Sequence, residues 1–188
     1  MGAQVSSRTD TATRRPGYIM SAIRRFARAR TGATVVEFAL VAAPFAALLV
    51  AIVQTAVVYL AQEVLQTATE QAARLIMTGQ AQTSGMTQNQ FKQNICGHAA
   101  ALFSCFNLQV QVQTFANFSS VTMTNPVING QLSAASLPYN PGHNGDIIVV
   151  QSYYAWPVVL GPLGFNLSNL NNNKLLLVGT AVFRNEPY

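Results

Sequence analysis

Residues with acid–base or nucleophilic chemistry are few in this sequence, and their spacing matches no common catalytic pattern. No Ser-His-Asp set, glycine-rich phosphate loop or pair of neighbouring carboxylates is apparent, and hydrolases and phosphoryl-transfer enzymes depend on such arrangements. His98 is expected to be a packed or surface histidine, and Asp146, which follows Gly145, is expected to belong to a turn. We therefore expect no catalytic residues and no enzyme activity; a hydrolase that uses His98 and Asp146 is a distant alternative. The acids after residue 62 and the histidines of the chain are Glu63, Glu70, Asp146, Glu186, His98 and His143.

The two cysteines of the chain, Cys96 and Cys105, offer a second kind of chemistry. A disulfide between them would close a short loop and stabilise the fold by about 2–4 kcal/mol. Two buried free thiols, or metal ligation, are the alternatives. Metal is disfavoured because structural zinc sites use four well-spaced ligands, and only His98 and the distant His143 could join the pair. If this region lies outside the cytoplasm, oxidation favours the disulfide. We expect neither a metal nor a cofactor.

Glu37 is an acid at the start of an apolar run, and the next charged residue is Glu63. A carboxylate within an apolar membrane helix is costly, and it suggests a function with a specific partner. The alternative is that Glu37 lies at the depth of the lipid headgroups, where the preceding arginines stabilise it. Its position alone is compatible with both interpretations.

The element that positions Glu37 is the apolar run of residues 32–60. It exceeds the about 20 apolar residues that a membrane-spanning helix needs. It is also longer than the apolar core of a cleaved secretory signal, which is about 7–15 residues. Pro44 would remove one backbone hydrogen bond and kink the helix, a change that membrane helices tolerate. A bent anchor and local melting when subunits pack are both compatible with Pro44.

Charge is distributed unevenly along the chain. Residues 1–32 carry seven arginines and one acid, a net charge of +6, whereas residues 33–188 carry four bases and five acids, a net charge of −1. Clustered arginine can bind nucleic acid, but positive charge beside a membrane helix more commonly marks its cytoplasmic side. We therefore expect no nucleic-acid partner. The expected division is a basic cytoplasmic leader at 1–32, a transmembrane helix at 33–61 and an extracytoplasmic domain at 62–188.

The domain after the apolar run is expected to be α+β. An apolar stripe at three- and four-residue steps continues the first helix toward Gly79, a plausible terminator. Thr87 and Gln90 fit a capping box that opens a second helix, expected to end near Leu102. Period-two alternation then predicts a strand at 108–113, and further strands are expected at 146–156 and 174–184, with a long loop at 117–145. Three such strands pair most simply as a small antiparallel sheet.

Residues 32–38, GATVVEF, place a glycine four residues before a glutamate and an aromatic residue, directly ahead of the apolar helix. This pattern resembles the processing site of prepilins and pseudopilins, which reads G/XXXXE[FY] in the tight-adherence (Flp-type) pilus systems. The segments RTGATVVEFALVAAPFAALLVAIVQ and LQTATEQAARLIMTGQ are similar to the TadE-like domain. The segments PGHNGDIIVVQSYYAWPVV and AVFRNEPY resemble the rest of that family. The similarity covers residues 24–79 well and residues 117–140 poorly.

The resemblance implies a minor pilin or pseudopilin of the tight-adherence pilus assembly and secretion machine. A prepilin peptidase would cut between Gly32 and Ala33 and remove the leader. Glu37 and Phe38 would then be the fifth and sixth residues of the mature chain. The Glu37 carboxylate would pair with the terminal ammonium of a neighbouring subunit and set the register of helix packing.

The same resemblance implies a location and partners. The protein would be a single-pass protein of the bacterial inner membrane, with a cytoplasmic N-terminus and a periplasmic body, and it could enter the pilus. Its partners would be the prepilin peptidase, other minor pilins and the inner-membrane platform. The chain departs from the very short major Flp pilin by its full α+β body, so we do not expect it to be the bulk filament subunit. An uncleaved bitopic scaffold of the same machine is the alternative.

Overall fold

The computed structural model describes residues 30–123, 126–133, 137–159 and 164–188. The chain is divided into two compact units, Met1–Ala46 and Ala47–Tyr188. Most of the expected leader lies outside the described residues, so its cytoplasmic location stays a prediction. The expected boundaries at residues 32 and 61 stay predictions as well, because both fall inside one helix.

Helix α1, Arg30–Met77, is the longest element. Its sequence is rich in alanine and leucine, which favour helix, and it contains Pro44. The helix ends where predicted, because Gly79 adopts a left-handed conformation with φ 76°. Glycine reaches this conformation at no steric cost and is the common residue after a helix end. The ring of Tyr188 lies against Gly79, where a Cβ would meet it at 2.2 Å.

Two shorter helices follow, α2 at Gln80–Thr83 and α3 at Gln88–Ala99. The predicted capping box of α3 is present: the Thr87 amide donates to the Gln90 side chain at 2.8 Å, and the Gln90 amide donates to the Thr87 hydroxyl at 3.4 Å. The predicted end near Leu102 is wrong, since α3 stops at Ala99. The chain turns directly after Ala99, since the amides of Leu102 and Phe103 both donate to the Ala99 carbonyl at 3.1 Å.

The sheet has three antiparallel strands in the order β1-β4-β5. These are β1 at Gln109–Phe115, β4 at Ile147–Pro157 and β5 at Lys174–Arg184. The central strand β4 is buried over most of its length. The prediction of an α+β fold with a long N-terminal helix and a small antiparallel sheet is therefore confirmed.

The segment predicted as one long loop at 117–145 contains structure of its own. A 3-10 turn lies at Phe118–Ser120, and a short hairpin pairs β2, Val127–Ile128, with β3, Gln131–Leu132. Asn129 and Gly130 form the turn with φ 51° and 72°. An Asn-Gly pair between apolar residues is a strong hairpin signal, so the sequence carried this information although the loop prediction missed it.

The core forms where one face of α1 packs on the sheet and on α3. Small residues on α1, such as Ala61, Ala68 and Ala72, are completely or almost completely buried. They allow the helix to approach the sheet closely, and Leu65 and Ile76 fill the remaining space. The sheet thereby packs against one face of α1.

Candidate membrane helix and processing site

All of the residues expected to take part in processing and register lie on helix α1. Gly32 is the third residue of the helix and Ala33 the fourth. The peptide between Gly32 and Ala33 therefore lies within a helical segment, close to the first of the described residues. Its cleavage stays a prediction.

The apolar part of α1 is exposed over most of its surface. Neighbouring large apolar residues are exposed at 35–36, 40–41, 48–50 and 52–53, whereas Ala47 is buried and Ala51 is half-buried. Successive helix residues point about 100° apart, so these runs expose most of the helix circumference. Among the described residues, Gly32–Met77 is one helix long and apolar enough to cross a membrane. A surface of this extent requires lipid or neighbouring helices as cover.

Glu37 projects from this apolar surface, and its side chain is exposed. Among side chains of the described residues, the one ion pair is His143 with Asp146, so Glu37 has no cationic partner there. Phe38, the aromatic residue beside it, is 73% exposed. An ionised carboxylate accepts hydrogen bonds only, and in an apolar medium it needs a cation or donors. The role of Glu37 in subunit register stays a prediction.

Pro44 lies seven residues after Glu37 and within α1. Because proline has no amide hydrogen, the carbonyl oxygen of Leu40 has no donor one turn later. Helix α1 continues through Pro44 without interruption. The expected kink and its role stay predictions.

Two glutamines of α1 bind strand β5 by hydrogen bonds. They were not identified from the sequence. The side chain of Gln62 donates to the Val178 carbonyl at 2.8 Å and accepts from the Val178 amide at 3.3 Å. Gln66 makes the same pair of bonds with Thr180, both at 2.9 Å. The glutamine amides thus pair with β5 as a neighbouring strand would. Glutamines four residues apart that flank a buried residue, here Leu65, were the available signal.

The cysteine pair stabilises the body at another place. The structure joins Cys96, buried in α3, to Cys105 in the following turn, with their Cα atoms 5.5 Å apart. This separation is the usual one for a disulfide. Among the described residues, no group of three or more His, Cys, Asp or Glu side chains could hold a metal ion.

His98 and Asp146, the residues of the hydrolase alternative, lie in different surroundings. His98 is exposed in a groove of about 670 Å³, whose described lining residues include no acid: Ser84, Met86, Gln90, Gln93, Asn94, Gly97 and His98. The Asp146 carboxylate accepts from the His143 amide at 2.8 Å, as a turn residue does. The structure therefore gives His98 and Asp146 no shared site among the described residues.

An aromatic cluster closes the core near the disulfide. Phe103 packs edge-to-face against Tyr154 at 4.8 Å and against Trp156 at 5.6 Å between ring centroids. Tyr154 and Phe103 are buried, at 6% and 4% exposure, and Trp156 packs against the same core. Burial raises the pKa of the adjacent Tyr153 to about 12 and the pKa of Tyr139 in the same direction.

Comparison with known proteins finds one similarity. Residues 32–74 match the family model described as TadE-like protein. The match begins at Gly32 and stays within α1, so it covers the apolar helix and the first part of its amphipathic continuation. It agrees with the resemblance drawn from the sequence and suggests a Tad pilus-associated protein. No curated protein and no solved structure matches the chain.

Proposed function

We propose, from the TadE-like segment at residues 32–74, that this protein is a minor pilin or pseudopilin of the tight-adherence pilus machine. A prepilin peptidase removes the basic leader between Gly32 and Ala33. The mature helix then packs with the helices of other minor pilins, while the body faces the periplasm and contacts the inner-membrane platform. The chain acts by assembly and not by catalysis.

The observation that carries this proposal is the single acid on an uncovered apolar helix. Glu37 is the one charged residue between residues 31 and 62, and the apolar residues around it are exposed. A helix of this kind gains most from packing against similar helices or lipid. The carboxylate adds a charge that only a correctly placed neighbour neutralises.

Cleavage supplies the matching charge. It creates a terminal ammonium at Ala33 and removes the leader with its net charge of +6. In a low-dielectric medium an isolated carboxylate is strongly unfavourable, so the ammonium of an adjacent chain stabilises one axial register over the others. Without the leader, the helix is also released from the cytoplasmic side on which clustered arginines hold it.

The alternative is an uncleaved bitopic scaffold of the same machine. The helical backbone at Gly32 and Ala33 favours it, because both residues lie within α1 and a peptidase needs an unwound substrate. In that case the leader remains attached, and Glu37 lies among headgroups and arginines with no role in register.

The mature N-terminus separates the two. Intact-mass and N-terminal peptide measurements on the protein purified from its native membranes should find Ala33 as the first residue. A leader that remains attached in cells with an active peptidase would contradict processing and support the scaffold.

The role of Glu37 needs a separate comparison. Glu37→Ala should be cleaved normally yet should fail to enter pili, whereas Glu63→Ala, an exposed acid farther along α1, should assemble as the wild type does. Glu37→Gln tests the charge alone, because it keeps the size and the hydrogen-bonding capacity of the side chain. Normal pili with Glu37→Ala would refute the pairing mechanism.

A further inference from the structure

The segment after β4 is attached to the apolar part of α1. The side chain of Gln54 donates a hydrogen bond to the backbone carbonyl of Val159. Along α1, Ala51, Thr55 and Val58 are half-buried like Gln54, while Ile52 and Val57 between them are exposed. One stripe of the helix is therefore covered from Val58 to Ala51 and on to Ala47, which is 9% exposed.

This contact lies near the level where the helix is expected to leave the membrane. A span of about 20 residues counted from Ala33 ends at residue 52, and the expected transmembrane helix ends at residue 61, so Gln54 lies between these two limits. Tyr59 is 67% exposed on the same helix, and aromatic residues with a polar end concentrate at the membrane–water interface. The first charged residue, Glu63, follows one turn later. Gln54 therefore lies on the hydrocarbon side of Tyr59.

The segment that meets Gln54 has the composition of a membrane-contacting surface. No charged residue occurs between Asp146 and Lys174. Val159 is 77% exposed, although the preceding Val158 is only 7% exposed. The amide of Val158 donates to the Asn173 carbonyl at 2.9 Å, which fixes the backbone at this point. The apolar side chain of Val159 is thus exposed at the end of the body that lies nearest to the apolar part of α1.

We propose that the body of this protein touches the outer leaflet of its own membrane through Val159, two residues after β4, and that this side chain lies in the interfacial layer between headgroups and acyl chains. The partner is the lipid surface, and the contact is apolar, because no basic side chain lies in this segment to attract anionic headgroups. The inference rests on α1 crossing the membrane and is independent of pilus assembly.

Depth-dependent quenching of a fluorescent label tests this contact. The two native cysteines form a disulfide, so a new cysteine at Val159 can be labelled selectively with an environment-sensitive dye in the full-length protein. The protein is reconstituted at low density into phosphatidylcholine bilayers that carry a nitroxide either near the headgroup or near the chain end. Quenching at Val159 should be about twofold or more with the shallow nitroxide and weaker with the deep one.

Two matched positions complete the experiment. Phe118 is 61% exposed and follows β1 at the end of the sheet that pairs with Ile147, opposite the end of β4 at Pro157. A label at Phe118→Cys should remain unquenched. A label at Leu48→Cys, on the apolar helix, should be quenched by the deep nitroxide.

Each other outcome has a distinct meaning. No quenching at Leu48→Cys removes the membrane span, and with it both this inference and the proposed function. Quenching at Leu48→Cys with none at Val159→Cys overturns the inference alone, whether the label lies in water or under protein. Equal quenching at Val159→Cys and Phe118→Cys overturns it too, because the body would then lie flat on the bilayer. Stronger quenching on addition of anionic lipid would overturn the apolar mode of contact.

Discussion

Gly179 in β5 shows how closely the helix approaches the sheet at the level of single residues. A Cβ at this position would meet the Thr69 hydroxyl at 2.3 Å and the Ser152 hydroxyl at 2.6 Å. These two hydroxyls hydrogen-bond to each other, and Thr69 also donates to the Leu65 carbonyl at 2.7 Å. A glycine is needed here for packing, since its backbone is not in a left-handed conformation.

Gly179→Ala should therefore lower the free energy of unfolding by about 1–3 kcal/mol, as overpacking of a core does. The fluorescence of Trp156, the one tryptophan of the chain, can follow urea unfolding of the detergent-solubilised protein. Gly97→Ala is the matched control, because Gly97 lies within α3 and a Cβ there would meet nothing within 4 Å. It should raise stability by about 0.5–1 kcal/mol through helix propensity. A neutral Gly179→Ala would show that the helix can move away from the sheet.

Burial of Tyr153 should make the body less stable as the pH becomes alkaline. Burial raises its pKa from 10.0 to about 12 in the folded state. Above pH 10 the unfolded chain loses this proton while the folded chain keeps it, so the free energy of unfolding should fall as pH rises from 10 toward 12. Tyr153→Phe should make this decline shallower, as measured by urea unfolding at a series of pH values. An unchanged slope would mean that Tyr153 ionises equally in both states.

At the scale of elements, the contact between α1 and β5 solves a problem common to sheets. An edge strand exposes unpaired amides and carbonyls that can pair with other chains. Gln62 and Gln66 cover the outer edge of β5 at Val178 and Thr180. The Asn169 side chain accepts from the Leu176 amide at 2.8 Å and extends this cover.

Replacement of either glutamine by alanine should cost about 1–3 kcal/mol, because partly buried backbone groups lose their partners. The double variant Gln62→Ala, Gln66→Ala should also oligomerise through β5, which size-exclusion chromatography in detergent would detect. Gln71→Ala is the control, since Gln71 is exposed on the same helix. If the double variant behaved like Gln71→Ala, Gln62 and Gln66 would not be required to protect the outer edge of β5.

The disulfide ties the end of α3 to the turn before β1. Its half-cystines are nine residues apart, and closure of a loop of this size stabilises a fold by about 2–3 kcal/mol. Cys96→Ala with Cys105→Ala should lower the urea midpoint accordingly. Reductant should destabilise the wild type by a similar amount and leave the double variant unchanged. Equal sensitivity of both proteins to reductant would contradict a stabilising bridge.

At the scale of the whole molecule, the proposed topology predicts where each end lies. Alkaline phosphatase fused after Tyr188 should be active, because it folds only outside the cytoplasm, and the same enzyme fused after Arg30 should be inactive. Clustered arginines before an apolar helix retain that end inside. The reverse pattern of activities would place the body in the cytoplasm and would leave the disulfide without an oxidising compartment.

Local patterns were sufficient to predict the two long helices and the three strands of the main sheet. The apolar run, the capping box at Thr87 and Gln90, and the alternation in β1 each act over a few residues, so they can be recognised in the sequence. The Asn129-Gly130 turn has the same local character, although the loop prediction overlooked it. Helix α3 was predicted too long, because no local stop signal follows Ala99 in the sequence.

The sequence by itself determined that this chain has a membrane-length helix, one acid at its start and an α+β body with a small antiparallel sheet. Only the tertiary structure decided which face of α1 meets the sheet, that Gln62 and Gln66 bind the edge of β5, and that Gln54 hydrogen-bonds to Val159. These contacts join residues more than a hundred positions apart. Their geometry arises from packing of the whole body, and no local periodicity encodes it.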